Sequence, residues 1–225
     1  MNEKQYDRCD EAIRGDGQLE KSEEFDAAKQ DILREIANIG AGHASSALSM
    51  LLESPVKQDV PEVKLVPLDA LTGMLGGAER VVVSVAMQLS GSIEGYLMAV
   101  LDFEQARHIV ELIRSQPLEP TAEGAFFSPM DESALKEAIN ITGGSYLTAI
   151  SQMTGLELVP TAPYATFDML GAVLSIALVQ AGLEGDSVLY FKSGLFNREN
   201  NVSGDLLLIP DQKSYRTLLQ SLGCI

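Results

Sequence analysis

Two polar side chains three residues apart, Glu35 and Asn38, stand in a segment otherwise built of isoleucine, leucine, alanine and small residues, Asp31 to Leu52 (DILREIANIGAGHASSALSMLL). At that spacing they share one face of a helix, and Asp31 lies one turn earlier on the same face. A carboxamide both donates to and accepts from water, so an asparagine projecting from a helix can hold one water molecule in a fixed orientation. A carboxylate one turn away can bind a cationic group and fix the helix against it. For a single copy, a solvated helix face would account for the same polar row.

The chain carries two copies. Ser133 to Gly155 (SALKEAINITGGSYLTAISQMTG) repeats the segment at a constant offset of 102. Glu35 aligns with Glu137, Asn38 with Asn140, Ile39 with Ile141, Gly42 with Gly144, and Ala47 and Ser49 with Ala149 and Ser151. Asp31 falls on Ser133, and beyond the helices Pro61 falls on Pro163. Asparagine is a mediocre former of helix interiors, and nothing in packing obliges both copies to keep it three residues after a glutamate and 23 before a proline.

The other reactive residue types supply no set. Cys9, in the polar N-terminal stretch, and Cys224 form neither a disulfide framework nor a metal-ligand pair. His43 is replaced by Ser145 in the second copy, and His108 lies in an amphipathic run. Nucleophilic triads and zinc sites therefore have no candidates. A net charge of −16, from 32 acidic against 16 basic residues, argues against nucleic acid and anionic membrane surfaces, which draw affinity from lysine and arginine clusters. No run approaches the roughly 20 apolar residues of a membrane span, and the polar start lacks a secretory signal. A cytoplasmic location is expected.

The elements that must position these residues follow from periodicity. Residues 1–26 read as a flexible acidic arm. A long amphipathic helix is predicted over Ala28–Leu52, in which Gly40 and Gly42 each cost about 1 kcal/mol against alanine and so suggest close approach of another backbone. Pro61–Leu68 alternates as a strand, and Asp69–Gly77 reads as a short helix or turn closed by Gly76 and Gly77. Arg80–Leu89 and Gly95–Leu101 form a hairpin, and Asp102 caps a helix over Phe103–Arg114 with Gln105 at the capping-box position. The second half repeats the order: a helix from Asp131 to about Thr154, a strand over Glu157–Thr166, a longer helix over Asp168–Leu183, a hairpin of Ser187–Phe196 and Gly204–Ile209, and a final helix capped by Asp211. Each copy alone would leave sheet edges exposed. The two repeats, about 27–117 and 129–225, are thus expected to merge into a single pseudo-twofold α/β domain.

The pattern Asp/Ser, Glu, Asn and a distant Pro, found once as Asp31, Glu35, Asn38, Pro61 and again as Ser133, Glu137, Asn140, Pro163, resembles that of the CheC/CheX/FliY family of chemotaxis phosphatases. The likeness covers about residues 27–225. With both copies present and no additional C-terminal switch domain of the FliY kind, it is strongest to the CheC branch. The resemblance implies an α/β sandwich in which two long motif helices pack on an about six-stranded sheet. It also implies hydrolysis of the phosphoaspartate of the response regulator CheY, with Mg2+ on the regulator and no cofactor or metal in this chain.

In that setting Asn38 and Asn140 would orient the attacking water, and Glu35 and Glu137 would bind the regulator. Asp31 and Ser133 would be peripheral substrate contacts, and Pro61 and Pro163 would shape the strand after each helix. Asp31 gives the first site one more negative charge than Ser133 gives the second, enough to rank the sites within roughly fivefold. The resemblance further implies a heterodimer with CheD, and the longer helix Asp168–Leu183 is the place where the halves differ most. A binding module that sequesters CheD or phosphorylated CheY, with little or no hydrolysis, is the alternative.

Overall fold

The computed structural model describes residues 27–58, 62–118, 126–181, 187–196 and 201–223. The N-terminal arm, Pro61 and both cysteines lie outside the described residues. In chain order the elements are α1 (Ala27–Leu51), β1 (Lys57–Gln58), β2 (Glu62–Pro67), α2 (Leu68–Met74), β3 (Val81–Gly91), β4 (Gly95–Leu101) and α3 (Phe103–Arg114). The same sequence of types follows in α4 (Pro129–Thr154), β5 (Leu158–Pro160), β6 (Tyr164–Met169), α5 (Leu170–Ala181), β7 (Ser187–Phe196), β8 (Asn201–Pro210) and α6 (Gln212–Ser221).

All the strands join one antiparallel sheet. Its centre is β7-β8-β4-β3, with β4 paired to β8 where the halves meet. Each outer position is filled by the other half: β1 and β2 pair with β7, while β5 and β6 pair with β3. Neither half therefore completes its own sheet.

Eight strand segments are described where about six strands are expected, and the outer position beside β3 is split between β5 and β6. Gln58 faces Leu195 and Glu62 faces Lys192 on one edge; Pro160 faces Leu89 and Tyr164 faces Ala86 on the other. Beside β3, Thr161 to Pro163 stand opposite two residues, Met87 and Gln88, the count of a β-bulge, which bends an edge and discourages further strand addition. On the second edge Thr161 seals the break: its N–H donates to the Gln88 carbonyl (2.9 Å) and its Oγ1 accepts from the Gln88 N–H (3.1 Å).

Both faces of the sheet are covered. Val83, Val85, Met87, Leu97, Phe191, Leu206 and Leu208 pack with apolar residues of α1, α3, α4 and α6. On the opposite face Val82, Met98, Val100, Tyr190, Leu207 and Ile209 pack with Leu71 and Leu75 of α2 and with Leu170, Val173, Leu174 and Ala177 of α5. This double cover is why β4, GYLMAVL, is buried at every position and reads as an apolar run with no alternation.

The caps at Asp102 and Asp211 are where the sequence places them. The Asp102 N–H donates to Gln105 Oε1 (3.0 Å), and Asp211 accepts from the Ser214 N–H (2.7 Å). The helix expected from Asp168 begins instead at Leu170. Asp168 and Met169 stay in β6, paired to Val82 and Val81, because the edge ladder outlasts the apolar periodicity of the following helix.

Candidate functional site

The face that α1 buries, Leu33, Ile36, Ala37, Ala41, Ala44 and Leu48, leaves the opposite stripe to solvent. On α4 the buried residues include Leu135, Ala138, Ile139, Tyr146, Leu147 and Ile150. Asp31, Glu35, Asn38, Gly42 and Ser46 are exposed; Ser133, Glu137 and Thr148 are exposed, and Asn140 and Gly144 half-buried. The sequence-predicted residues of each copy thus lie along one outward ridge of a long helix, and the two helices pack extensively against each other. Pro163 directly precedes β6, at the interrupted edge.

The helices are anchored at both ends of the motif. Ser128 caps α4 by accepting from the Asp131 N–H (3.2 Å), and Asp131, itself buried, accepts from the Ser128 N–H (3.1 Å) and hydroxyl (2.6 Å) and from Arg114 of α3. Burial pushes the Asp131 carboxyl up, but the hydrogen bonds from Ser128 and Arg114 and the guanidinium charge outweigh it and hold the group below its ordinary value. At the far end the repeated serines fasten the chain as it leaves each helix. Ser49 Oγ accepts from the Val56 N–H (2.9 Å), and Ser151 Oγ donates to the Leu156 carbonyl (2.7 Å).

Along the ridge most charged neighbours are paired. Arg34 meets Asp31 at 3.4 Å, and Lys136 meets Glu132 at 3.0 Å. Glu35, Asn38, Glu137 and Asn140 make no side-chain hydrogen bond or ion pair to any described residue. Each copy therefore presents one carboxylate and one carboxamide that meet no hydrogen-bonding partner among the described residues.

Glu132 corrects the expected charge difference between the copies. It stands one residue before Ser133, where the first copy has Gln30 before Asp31. From Gln30 and from Glu132 through the asparagine each stretch carries two acids and one base, although one residue earlier Lys29 in the first copy aligns with Asp131 in the second. Comparing position by position hid this, because the acid has moved by one residue. His43 is exposed and His108 half-buried on α3, on different helices. Among the described residues, no group of three or more His, Cys, Asp or Glu side chains converges as metal ligands would.

A model of the CheC-like family matches residues 29–65 and 130–165, the two stretches that run from each motif helix into its edge strand. Over 200 residues the chain is 34% identical to the protein named CheY-P phosphatase CheC of Bacillus subtilis (strain 168), spanning 87% of this chain and 94% of that one. The chain belongs to the CheC-like family. Its fold is shared by FliY of Thermotoga maritima, with a TM-score of 0.68 at 20% identity, covering 87% of this chain and 98% of FliY. It is also shared by the FliM middle domain of H. pylori, at 0.60 and 12%, covering 89% and 99%. Among the described residues, no helix of this CheC-like chain is long and apolar enough to cross a membrane.

Proposed function

We propose that this CheC-like chain hydrolyses the phosphoaspartate of phosphorylated CheY, with Asn38 and Asn140 as the catalytic residues of two sites and Glu35 and Glu137 as the residues that hold the regulator. The observation that carries the assignment is the duplicated, outward and uncommitted carboxylate–carboxamide pair, one on each motif helix. Family membership and the relative named a CheY-P phosphatase support the substrate.

A phosphoaspartate is an activated acyl phosphate, so catalysis reduces to placing a nucleophile and stabilising charge. The Asn carboxamide holds a water opposite the scissile bond. The water oxygen bonds to phosphorus, the bond from phosphorus to the aspartyl oxygen breaks with its electron pair going to the carboxylate, and the proton lost by the water leaves with phosphate or solvent. The Glu carboxylate engages a cationic side chain of the regulator and fixes the helix over the phosphoryl group. Asp31, already paired with Arg34, and Ser133, whose hydroxyl donates to the Pro129 carbonyl at 2.8 Å, contribute at the margin. The Mg2+ belongs to the regulator.

The CheD partner is assigned to the opposite side of the sheet. There α5 carries Ile176 and Val179 exposed, beside the apolar residues it buries against the sheet. An exposed apolar surface of this kind favours a protein partner.

The deciding experiment follows phosphate release from phosphorylated CheY with this protein substoichiometric. Repeated turnover is expected; stoichiometric protection without release would support the binding-module alternative. Replacing both Asn38 and Asn140 with Ala should remove turnover and leave the fold and much of the affinity. Replacing both Glu35 and Glu137 should weaken binding as well.

A further inference from the structure

Each motif helix contains two glycines, and only one of each pair is explained by the chain's own packing. A β-carbon on Gly40 would stand 3.0 Å from the Tyr146 Cα, and one on Gly143 would stand 2.6 Å from Met87 Cε and 2.7 Å from Leu97 Cδ2. At Gly42 and Gly144 a β-carbon would meet no described residue within 4 Å. Neither has a positive backbone φ, so neither glycine is required by conformation. Both lie inside long helices, where glycine is among the poorest formers and alanine the best.

These two unexplained glycines occupy equivalent positions at the 102-residue offset, each four residues after the motif asparagine. Glu35, Asn38 and Gly42 thus lie on one helix face, as do Glu137, Asn140 and Gly144. One turn further, a hydroxyl folds back onto the glycine carbonyl in both copies: Ser46 Oγ donates to Gly42 O at 2.9 Å, and Thr148 Oγ1 to Gly144 O at 2.8 Å. The helix is therefore regular here and its carbonyl is satisfied, yet the surface beside each asparagine is bare backbone.

We propose that Gly42 and Gly144 are positioning residues: they leave room for a main-chain segment of the phosphorylated regulator to seat directly on the helix backbone, one turn past the asparagine. Seating at that depth brings the carboxamide within reach of the attacking water. A methyl group there holds the partner off by a distance of the order of 1 Å, a misplacement that costs roughly a hundredfold in rate when chemistry depends on alignment. The inference rests on the reading of Asn38 and Asn140 as the catalytic pair, and assigns the glycines no contact with the reacting atoms.

The test isolates one site at a time. In an Asn140→Ala background, Gly42→Ala should lower kcat/KM for phosphorylated CheY by at least tenfold while the melting temperature holds or rises. In an Asn38→Ala background, Gly144→Ala should do the same. A purely structural glycine would give the opposite melting shift, so a lower melting temperature in either variant overturns the proposal. Unchanged kcat/KM in both also overturns it. The Asn38→Ala/Asn140→Ala protein with native glycines separates the failures. Loss of turnover there with active glycine variants sinks only the clearance role, whereas full turnover there sinks the catalytic assignment on which it rests.

Discussion

Gly40 of α1 lies directly against Tyr146 of α4. A β-carbon at Gly40 would stand 2.9 Å from the tyrosine ring and 3.0 Å from its Cα, and the ring is wholly buried against Phe191 at a centroid distance of 5.2 Å. The tyrosine cannot swing away without disturbing the sheet, so the close approach sets the spacing of the two motif helices. Gly40→Ala gains about 1 kcal/mol of helix propensity but forces overpacking, which typically costs about 1–3 kcal/mol. A net loss of stability is expected, read as a lower denaturation midpoint with an unchanged slope. A more stable Gly40→Ala protein would mean that the helices slide apart freely.

That contrast between Gly40 and Gly42 marks where sequence reading stops. Both glycines interrupt the same amphipathic pattern and carry the same propensity cost, so both suggest a close approach; only the fold tells which one a neighbour fills. Elements governed by local chemistry were legible: the helix caps at Asp102 and Asp211, the apolar period of α1, and the polar ridge of Glu35 and Asn38. What depends on distant partners was not. Nothing near Glu62 announces that it will face Lys192 in the other half, and nothing near Asp168 says that its strand continues because Val82 is there to pair with it. The polar ridge residues were readable because the same residue types recur in both copies at fixed spacing. The charge balance was not, since Glu132 contributes the acid of Asp31 from a neighbouring position.

Asp131 ties the second motif helix to α3, and its depressed carboxyl makes that tie depend on pH. A group whose folded value lies below its unfolded value near 3.8 contributes stability above the unfolded value and loses it as pH falls through the folded one. Asp131→Asn should therefore be less stable at neutral pH by about 1.5–3 kcal/mol, the range for hydrogen bonds to a charged group. The difference should begin to shrink as pH falls below the unfolded value near 3.8 and should vanish only below the lower folded value, where the native carboxyl is protonated. Equal stability at pH 7, or a difference that persists unchanged into strong acid, would contradict this role.

The two faces of the sheet should be separable by mutation. Val179 and Ile176 of α5 are 79% and 48% exposed, on the side opposite the motif helices. Ile176→Glu/Val179→Glu should abolish co-elution with CheD and leave phosphate release from phosphorylated CheY by the free protein unchanged within about twofold, since surface substitutions away from structural features usually shift stability by less than about 0.5 kcal/mol. Loss of phosphate release in a well-folded double variant would mean that the two faces are coupled. Undiminished CheD binding would move the partner to another surface.

The two motif sites should act independently and nearly equally. Asp31 alone would make the first site more negative, but Arg34 pairs with it there and Lys136 pairs with Glu132 at the second, so each copy holds one acid–base pair beside its motif glutamate. Residual differences between exposed charges of this kind amount to at most about 1 kcal/mol, or roughly fivefold, so neither site should be silent. Each carboxamide sits on its own helix, and no hydrogen bond or ion pair joins the two sets among the described residues. Phosphate release at limiting phosphorylated CheY should then fall only in part for Asn38→Ala and for Asn140→Ala, with the two residual rates summing to that of the unaltered protein. The double variant should fall to the regulator's own decay. If either single variant lost all activity with its fold intact, the two helices would have to build one composite site, and the symmetry of the motifs would serve assembly in place of catalysis.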